Sequence, residues 1–290
     1  MNYSKLMLGT VQFGMNYGVA NTHGQPSYDT VKMILKEAWD GGINALDTAP
    51  EYGDSEEIIG TALAELGLSD KFQIITKIPK IPENTDVEKF IENSLLQSRE
   101  RLKTEIISGA LIHVEEDGIY LDILKSMKEK GLILNAGISL NTLAHKDDGA
   151  NADILQIPCS LLDHRFDHCF NHGNRHCFIR GAYLQGMLLM DENRIFVKEI
   201  LPLRRKLEAV GLPMTELALR YLFAKAGSKS VLTGVETVEQ LRENLRISRM
   251  APLEKDILDE IEKIVFPPLE EICVSPWMWN TYKKINNIKD

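Results

Sequence analysis

A chain of 290 residues, of which 44% are apolar and 26% charged, has the composition of an ordinary globular protein. Its 33 basic and 42 acidic side chains give a net charge of -9, which argues against nonspecific binding to nucleic acid or to an anionic membrane. The sequence has no run of eighteen apolar residues and no apolar signal-peptide stretch at its start. Four cysteines without C-x-x-C spacing predict reduced thiols in a cytoplasmic protein.

Short apolar stretches recur along the chain and predict eight strands. They cover residues 5–10, 44–46, 72–77, 108–112, 132–138, 153–156, 177–180 and 230–232. Most are followed by apolar residues at helical spacing, which predict helices. The predicted helices include one that begins at Ser27, one at Asp54 or Ser55, one with Thr85 and Glu88 as a capping box, and two over residues 195–209 and 214–226.

The alternation of strand and helix predicts an α/β fold, a (β/α)8 TIM barrel, over residues 1–290 as a single domain. No linker rich in glycine, proline or serine interrupts the pattern. A doubly wound sheet is the alternative, but no G-x-G-x-x-G sequence follows the first strand.

The stretch over residues 44–60 places an acid and a phenol at the end of a buried strand. Asp47 ends the strand, and Tyr52 lies in the tight loop before the next helix. In parallel α/β folds this end of a strand is where the chemistry takes place. A phenol has an ordinary pKa of about 10, so it needs a nearby cation to act as an acid at neutral pH.

The next two predicted strands end in groups that complete a catalytic set. Lys77 ends the third strand, and His113 follows the fourth. A lysine on a buried strand needs a counter-charge, and Asp47 is the predicted one. One such residue alone is usually structural, but an Asp, a Tyr, a Lys and a His at three successive strand ends predict an active site.

The sequence D-T-A-P-E-Y-G-D-S-E around Tyr52 resembles the D-x-A-x-x-Y-G-x-[SN]-E signature of the aldo-keto reductases. Lys77 and His113 fall where this family keeps its catalytic lysine and histidine, and the resemblance extends from residue 8 to about residue 244. It implies NAD(P)H-dependent reduction of an aldehyde or ketone, with Tyr52 as general acid and Lys77 as the cation that lowers its pKa. It further implies that Asp47 holds Lys77 and that His113 donates a hydrogen bond to the carbonyl oxygen.

The same resemblance implies a cofactor site along the strand ends. The residues that it implies are Gly9, Thr10, Ser139, Gln156, Arg180, Gly181, Leu184, Gly186, Gly234, Gln240, Glu243 and Asn244. Ser139 and Gln156 match residues that hold the nicotinamide amide, whereas Leu140 replaces the family's asparagine. Arg180 occupies the place where many members stack a tyrosine on the nicotinamide. The family's habit favours NADP(H), but Glu236 would oppose the extra phosphate, which makes NAD(H) plausible.

The expected partner is a small-molecule carbonyl compound, such as a sugar or a small metabolite. The alternative is a regulatory protein that holds the cofactor as a redox sensor and turns over little. The complete catalytic set favours the enzyme.

Two other segments leave alternatives open. Four histidines recur at every fourth residue, at 164, 168, 172 and 176, which is the spacing of one helix face. Since Gly173 predicts that such a helix ends there, we favour a solvated surface over a metal site and expect no bound metal. In the C-terminal tail, residues 265–290, Trp277 and Trp279 either pack under the barrel edge or lie near the barrel mouth and shape the pocket.

Overall fold

The computed structural model describes residues 2–145, 150–171, 175–226 and 229–288. Its parallel strands form one closed barrel in which neighbours along the chain pair and β8 pairs with β1. The strands are β1 (Leu6–Gly9), β2 (Ala45–Asp47), β3 (Gln73–Ile78), β4 (Gly109–Ile112), β5 (Ala136–Ser139), β6 (Ile154–Pro158), β7 (His176–Arg180) and β8 (Ser230–Gly234). The predicted (β/α)8 barrel is therefore confirmed.

Helices surround this barrel. They are α1 (Val11–Gly14), α2 (Tyr28–Asp40), α3 (Ser55–Leu66), α4 (Val87–Leu102), α5 (Leu121–Glu129), α6 (Ile200–Glu208), α7 (Met214–Ala226), α8 (Val238–Ser248), α9 (Lys255–Ile264), α10 (Glu271–Val274) and α11 (Trp279–Ile285). The side chain of Ser27 accepts a hydrogen bond from Thr30 N and caps α2, as predicted. No helix of the described residues combines the length and the apolar character that a membrane span requires.

Two layers of side chains fill the barrel interior, because alternate residues of a strand point to the same face. The lower layer is an apolar cluster of Tyr3, Met7, Ala45, Ile75, Leu111, Ile154, Phe178 and Leu232. Two residues further along the same strands come Gly9, Asp47, Lys77, His113, Gln156, Arg180 and Gly234. The apolar layer thus closes the barrel from below, and the polar layer lies at the carboxyl ends of the strands.

The differences from the predicted element boundaries include the start of one strand and the starts of two helices. β5 begins at Ala136 rather than at residue 132, because Leu132 N donates to Met127 O and closes the end of α5. The helix predicted over residues 195–209 begins only at Ile200. α4 is capped by Asp86, whose carboxylate accepts a hydrogen bond from Lys89 N, and not by the predicted Thr85.

The histidines of this segment that the structure describes do not share one helix face. His164 precedes a short 3-10 helix, Asp167–Asn171, and its Nε2 lies 2.9 Å from the carbonyl oxygen of Leu161. His176 is the first residue of β7 and packs edge-on against Tyr3. His172 and Gly173 lie outside the described residues. The chain changes from 3-10 helix to strand within this segment, so its spacing of four does not produce a common face.

Candidate active site

Lys77 is the central cation of the polar layer. Its Nζ lies 2.8 Å from a carboxylate oxygen of Asp47 and donates to the carbonyl oxygen of Thr48 at 2.9 Å. The Lys77 side chain is 1% exposed and that of Asp47 is 6% exposed, so water scarcely screens the pair. Burial lowers the pKa of Lys77, but Asp47 and Tyr52 outweigh burial and raise that pKa above its usual value. Lys77 is therefore a fixed positive charge at neutral pH.

Tyr52 lies against this cation. Nζ of Lys77 is 4.7 Å from the centroid of the Tyr52 ring. Burial raises the pKa of the Tyr52 phenol above its usual value, and the positive charge of Lys77 opposes that rise. The phenol consequently holds its proton at neutral pH, while the nearby cation stabilises the phenolate that proton donation would leave.

His113 lies beside the same phenol. The rings of His113 and Tyr52 are nearly perpendicular, with their centroids 6.0 Å apart. Nδ1 of His113 is 2.5 Å from a carboxylate oxygen of Glu51. Burial lowers the pKa of His113, and Glu51 opposes this effect. The structure therefore brings the four predicted catalytic residues together, and it adds Glu51, which the sequence signature contained but which we had not singled out.

A buried hydrogen-bond chain supports Asp47 from the opposite side of the barrel. Nε2 of Gln156 donates to Oδ1 of Asp47 at 2.7 Å, and the hydroxyl of Ser139 donates to Oε1 of Gln156 at 3.2 Å. Gln156 and Ser139 are adjacent because β5 and β6 pair them in register. In this structure both side chains thus hold the carboxylate that pairs with Lys77.

Direct backbone contact fixes the position of the loop that carries Tyr52. An added Cβ at Gly14 would overlap the carbonyl oxygen of Tyr52, and one at Gly53 would overlap that of Gly14. Gly53 also has a φ of +56°, a conformation that favours glycine. The hydroxyl of Ser55 donates to the carbonyl oxygen of Thr10 at 2.9 Å and ties the start of α3 to the end of β1.

A cavity of about 600 Å³ opens above the polar layer. Asp47, Tyr52 and Arg180 line one part of its wall, and the start of α8 contributes another. The predicted cofactor residues in this wall are Gly9, Thr10, Arg180, Gly181, Leu184, Gly186, Gly234, Gln240, Glu243 and Asn244. Ser139 and Gln156 lie below it in the hydrogen-bond chain to Asp47.

Two loops meet over this cavity, and the sequence did not reveal their contact. Nε2 of Gln185 donates to the hydroxyl of Tyr17 at 2.8 Å, and Ala20 N donates to the carbonyl oxygen of Gln185 at 3.4 Å. Leu184 and Gln185 adopt φ values of +49° and +52°, which turn the second loop sharply. Tyr17 lines the cavity, and the only hint of this in the sequence was an aromatic residue in a glycine-containing loop after β1.

The α8 part of the cavity carries negative charge. Glu236 lines the wall, and its backbone N–H donates to the side-chain oxygen of Gln240 at 2.7 Å. Arg242, the nearest cation in the sequence, makes two hydrogen bonds of 3.1 Å to Glu37, and its side chain is 59% exposed. Arg242 therefore points to the protein surface rather than into the cavity.

The C-terminal tail reaches the barrel mouth, which is one of the two alternatives that the sequence left open. Val274 and Pro276 line the cavity. Trp279 is buried, donates from its indole nitrogen to the carbonyl oxygen of Cys273 at 3.1 Å and packs edge-on against Phe196. Trp277 is 56% exposed. The tail thus shapes the cavity through Val274 and Pro276, while Trp279 anchors it.

Comparison with known proteins decides the family. Residues 5–265 match the family model described as the Aldo/keto reductase family. The chain belongs to this family. As an aldo-keto reductase it is an oxidoreductase that acts with NAD(P)H, and the predicted family and enzyme class are confirmed.

Relatives of this aldo-keto reductase match it along most of its length. The uncharacterized oxidoreductase YqkF of Bacillus subtilis is 28% identical over 79% of this chain and 85% of its own. D-arabinose 1-dehydrogenase of Saccharomyces cerevisiae is 27% identical over 91% of this chain and 90% of its own. The holo form of aldo-keto reductase AKR11C1 from Bacillus halodurans superimposes with a TM-score of 0.76 at 23% identity, covering 93% of this chain and 94% of that one. This last likeness confirms the fold.

Proposed function

We propose that this enzyme reduces an aldehyde or ketone carbonyl, on a sugar or another small metabolite, with Tyr52 as the proton donor. The observation that carries the proposal is the buried ion pair between Lys77 and Asp47, which places a fixed cation against the Tyr52 ring. A surface phenol without such a cation would be a poor acid at neutral pH.

The cavity suits a nicotinamide dinucleotide. Its volume of about 600 Å³ is in the usual range of cofactor sites. Gly181 and Gly186 let the loop after β7 turn at φ values of +80° and +87°, so that its backbone lines the wall closely. Gln12 Oε1 and Thr233 Oγ1 in the same wall are buried and find no hydrogen-bond partner among the described residues. Buried polar atoms are normally paired, so these two favour a polar ligand.

The proposed roles follow from the geometry of the polar layer. A reduced nicotinamide cofactor supplies the hydride for the carbonyl carbon. Tyr52 gives its proton to the carbonyl oxygen, and Lys77 stabilises the phenolate that remains. His113 holds the carbonyl oxygen beside Tyr52 by a hydrogen bond. Asp47 holds Lys77, and Gln156 with Ser139 keeps Asp47 in place.

A panel of aldehydes, ketones and sugars tests the proposal. Each compound is mixed with the enzyme and with NADH or NADPH, and loss of the cofactor's absorbance reports turnover. We expect at least one class of carbonyl compound to be reduced catalytically. In a single-turnover measurement, hydride transfer much slower than product release for every compound would instead indicate a redox sensor.

The charge around Glu236 leads to a prediction about cofactor choice. Selective binding of NADPH needs cations at its 2′-phosphate, usually arginine or lysine. Here Glu236 lines the wall and Arg242 pairs with Glu37. We therefore expect the values of kcat/KM for NADPH and NADH to differ by less than roughly 100-fold, about 2.7 kcal/mol.

Steady-state titration of both reduced cofactors with one good substrate measures this ratio. The variant Glu236→Gln serves as a matched control, because loss of the negative charge should shift the ratio toward NADPH. A wild-type preference for NADPH above a thousandfold would contradict the prediction. It would mean that another cation, such as Arg194 in the cavity wall, reaches the phosphate.

A further inference from the structure

Arg180 is a half-buried cation without a carboxylate partner. It ends β7, lines the cavity, and donates from Nη2 to the carbonyl oxygen of Leu140 at 2.7 Å and to Oδ1 of Asn141 at 2.5 Å. Both acceptors are neutral. Among the described residues, no carboxylate oxygen lies within ion-pair distance of its guanidinium. An arginine keeps its charge in proteins, so Arg180 brings a positive charge into the cavity wall.

The other cations near this part of the cavity are balanced. Lys77 pairs with Asp47 at 2.8 Å, and Arg165 pairs with Asp163 at the same distance and with Glu271 at 2.5 Å. Tyr52 and Tyr17 are neutral phenols with pKa values that burial raises. Glu51 lies against His113, and its side chain is 45% exposed and therefore screened by water. Glu115 is buried and accepts hydrogen bonds from the backbone N–H groups of Asn141 and Thr142. Arg180 thus differs from Lys77 and Arg165 in that no carboxylate of the described residues pairs with it directly.

This charge acts on the cofactor's nicotinamide ring, and here the inference rests on the proposed function. Hydride and proton must reach the same carbonyl group, so the ring has to lie within a few ångströms of Tyr52. Arg180 lines the wall at that place. The oxidised ring carries a positive charge, whereas the reduced ring is neutral. We propose that Arg180 makes this enzyme bind the reduced cofactor more tightly than the oxidised one, so that at equal concentrations of the two forms the site holds mainly the reduced one.

The size of the effect follows from Coulomb's law. Two unit positive charges about 6–8 Å apart, at an effective dielectric constant of about 20, repel each other enough to change an affinity roughly 30- to 100-fold. The phosphates and the adenosine are common to both oxidation states. Their contacts therefore cancel in the ratio of the two dissociation constants, which isolates the effect of the ring's charge.

The experiment measures dissociation constants for NAD⁺ and NADH, and for NADP⁺ and NADPH, by isothermal titration calorimetry without a carbonyl substrate. Wild type is compared with Arg180→Gln, which removes the charge, and with Arg180→Lys, which keeps it. We expect the ratio of the oxidised to the reduced dissociation constant to fall at least tenfold in Arg180→Gln and to change less than threefold in Arg180→Lys. Arg180→Tyr provides a second neutral variant if the glutamine variant does not fold.

Arg194→Gln is the matched control. Arg194 also lines the cavity, but it lies beside the carbonyl oxygen of Val19. Val19 is in the loop between α1 and α2, residues 15–27, which covers the cavity. Loss of Arg194 should change the affinities for both oxidation states by a similar factor and leave their ratio intact. A fall in the ratio as large as that in Arg180→Gln would overturn the assignment to Arg180.

Two further outcomes separate this inference from the proposed function. If all the nucleotides bind and the ratio in the neutral Arg180 variants stays within threefold of wild type, the inference fails and the proposed function stands. An increase in KM confined to carboxylate-bearing carbonyl compounds would then assign Arg180 to an anionic substrate instead. If wild type binds none of the nucleotides, the proposed function fails and the inference fails with it.

Discussion

Replacement of Tyr52 by phenylalanine is expected to lower kcat for carbonyl reduction by roughly three orders of magnitude, since the variant lacks the proton donor. The phenyl ring can still pack against Lys77 and His113, so the dissociation constant of the cofactor should stay close to that of wild type. Steady-state rates with the best substrate of the panel and cofactor titration by fluorescence measure the two effects separately. A phenylalanine variant that keeps half of the wild-type rate would exclude Tyr52 as the general acid.

Tyr17→Phe is the matched control for this prediction. It removes a second phenol hydroxyl from the same cavity, together with the hydrogen bond from Gln185. Tyr17 lies in the loop after β1, and its hydroxyl accepts a hydrogen bond from Gln185, so its loss should lower kcat far less than the loss of the Tyr52 hydroxyl. Equal effects of the two substitutions would indicate a general disturbance of the cavity.

Replacement of Lys77 by methionine should lower kcat by at least about 100-fold and should also change its pH dependence. In the proposed mechanism reduction requires protonated Tyr52, so activity is expected to be lost as the pH rises through the pKa of this phenol. Burial raises that pKa and Lys77 lowers it, so without Lys77 the pKa rises further. The alkaline loss of activity should therefore move to higher pH, as a pH–rate profile of the residual activity can measure. An unchanged apparent pKa would mean that another group controls the phenol.

The same substitution should also lower the free energy of unfolding. It leaves the carboxylate of Asp47, with a side chain only 6% exposed, without its cation. Breaking a buried ion pair in this way destabilises a protein by about 3–5 kcal/mol. The double variant Asp47→Asn, Lys77→Met removes both charges and should recover part of this loss in urea unfolding while remaining inactive. That result separates the electrostatic effect on stability from the effect on catalysis.

The residues of the polar layer could be predicted because strands impose a period of two. Once Ile75 points into the barrel, Lys77 must do so as well, and the same argument places Asp47 above Ala45. Parallel pairing then brings successive strand ends together. Local sequence thus determined which side chains enter the site, and the barrel determined that they meet.

The remaining parts of the site depend on contacts between distant segments. The hydrogen bond between Tyr17 and Gln185 spans 168 residues, and the pairing of Arg242 with Glu37 spans 205. No local sequence pattern predicts which loop covers the cavity. Nor does one predict whether an arginine on an amphipathic helix points into the cavity or to the protein surface. Similarly, Trp279 is the buried member of the two tail tryptophans because it packs against Phe196, a residue far away in the sequence.

The close contact of Gly14 with the loop around Gly53 limits which segments can mutate to change substrate specificity. Main-chain contacts at Gly14 and Gly53 fix the position of Tyr52, the proposed proton donor, whereas the tail and the loop after β1 contribute side chains such as Val274 and Tyr17 to the cavity. Mutation can therefore vary the tail and the loop after β1, and with them the carbonyl compounds admitted, without displacing the phenol. In directed evolution, libraries confined to those two segments should yield new specificities, while libraries at the two glycines should yield mainly inactive variants.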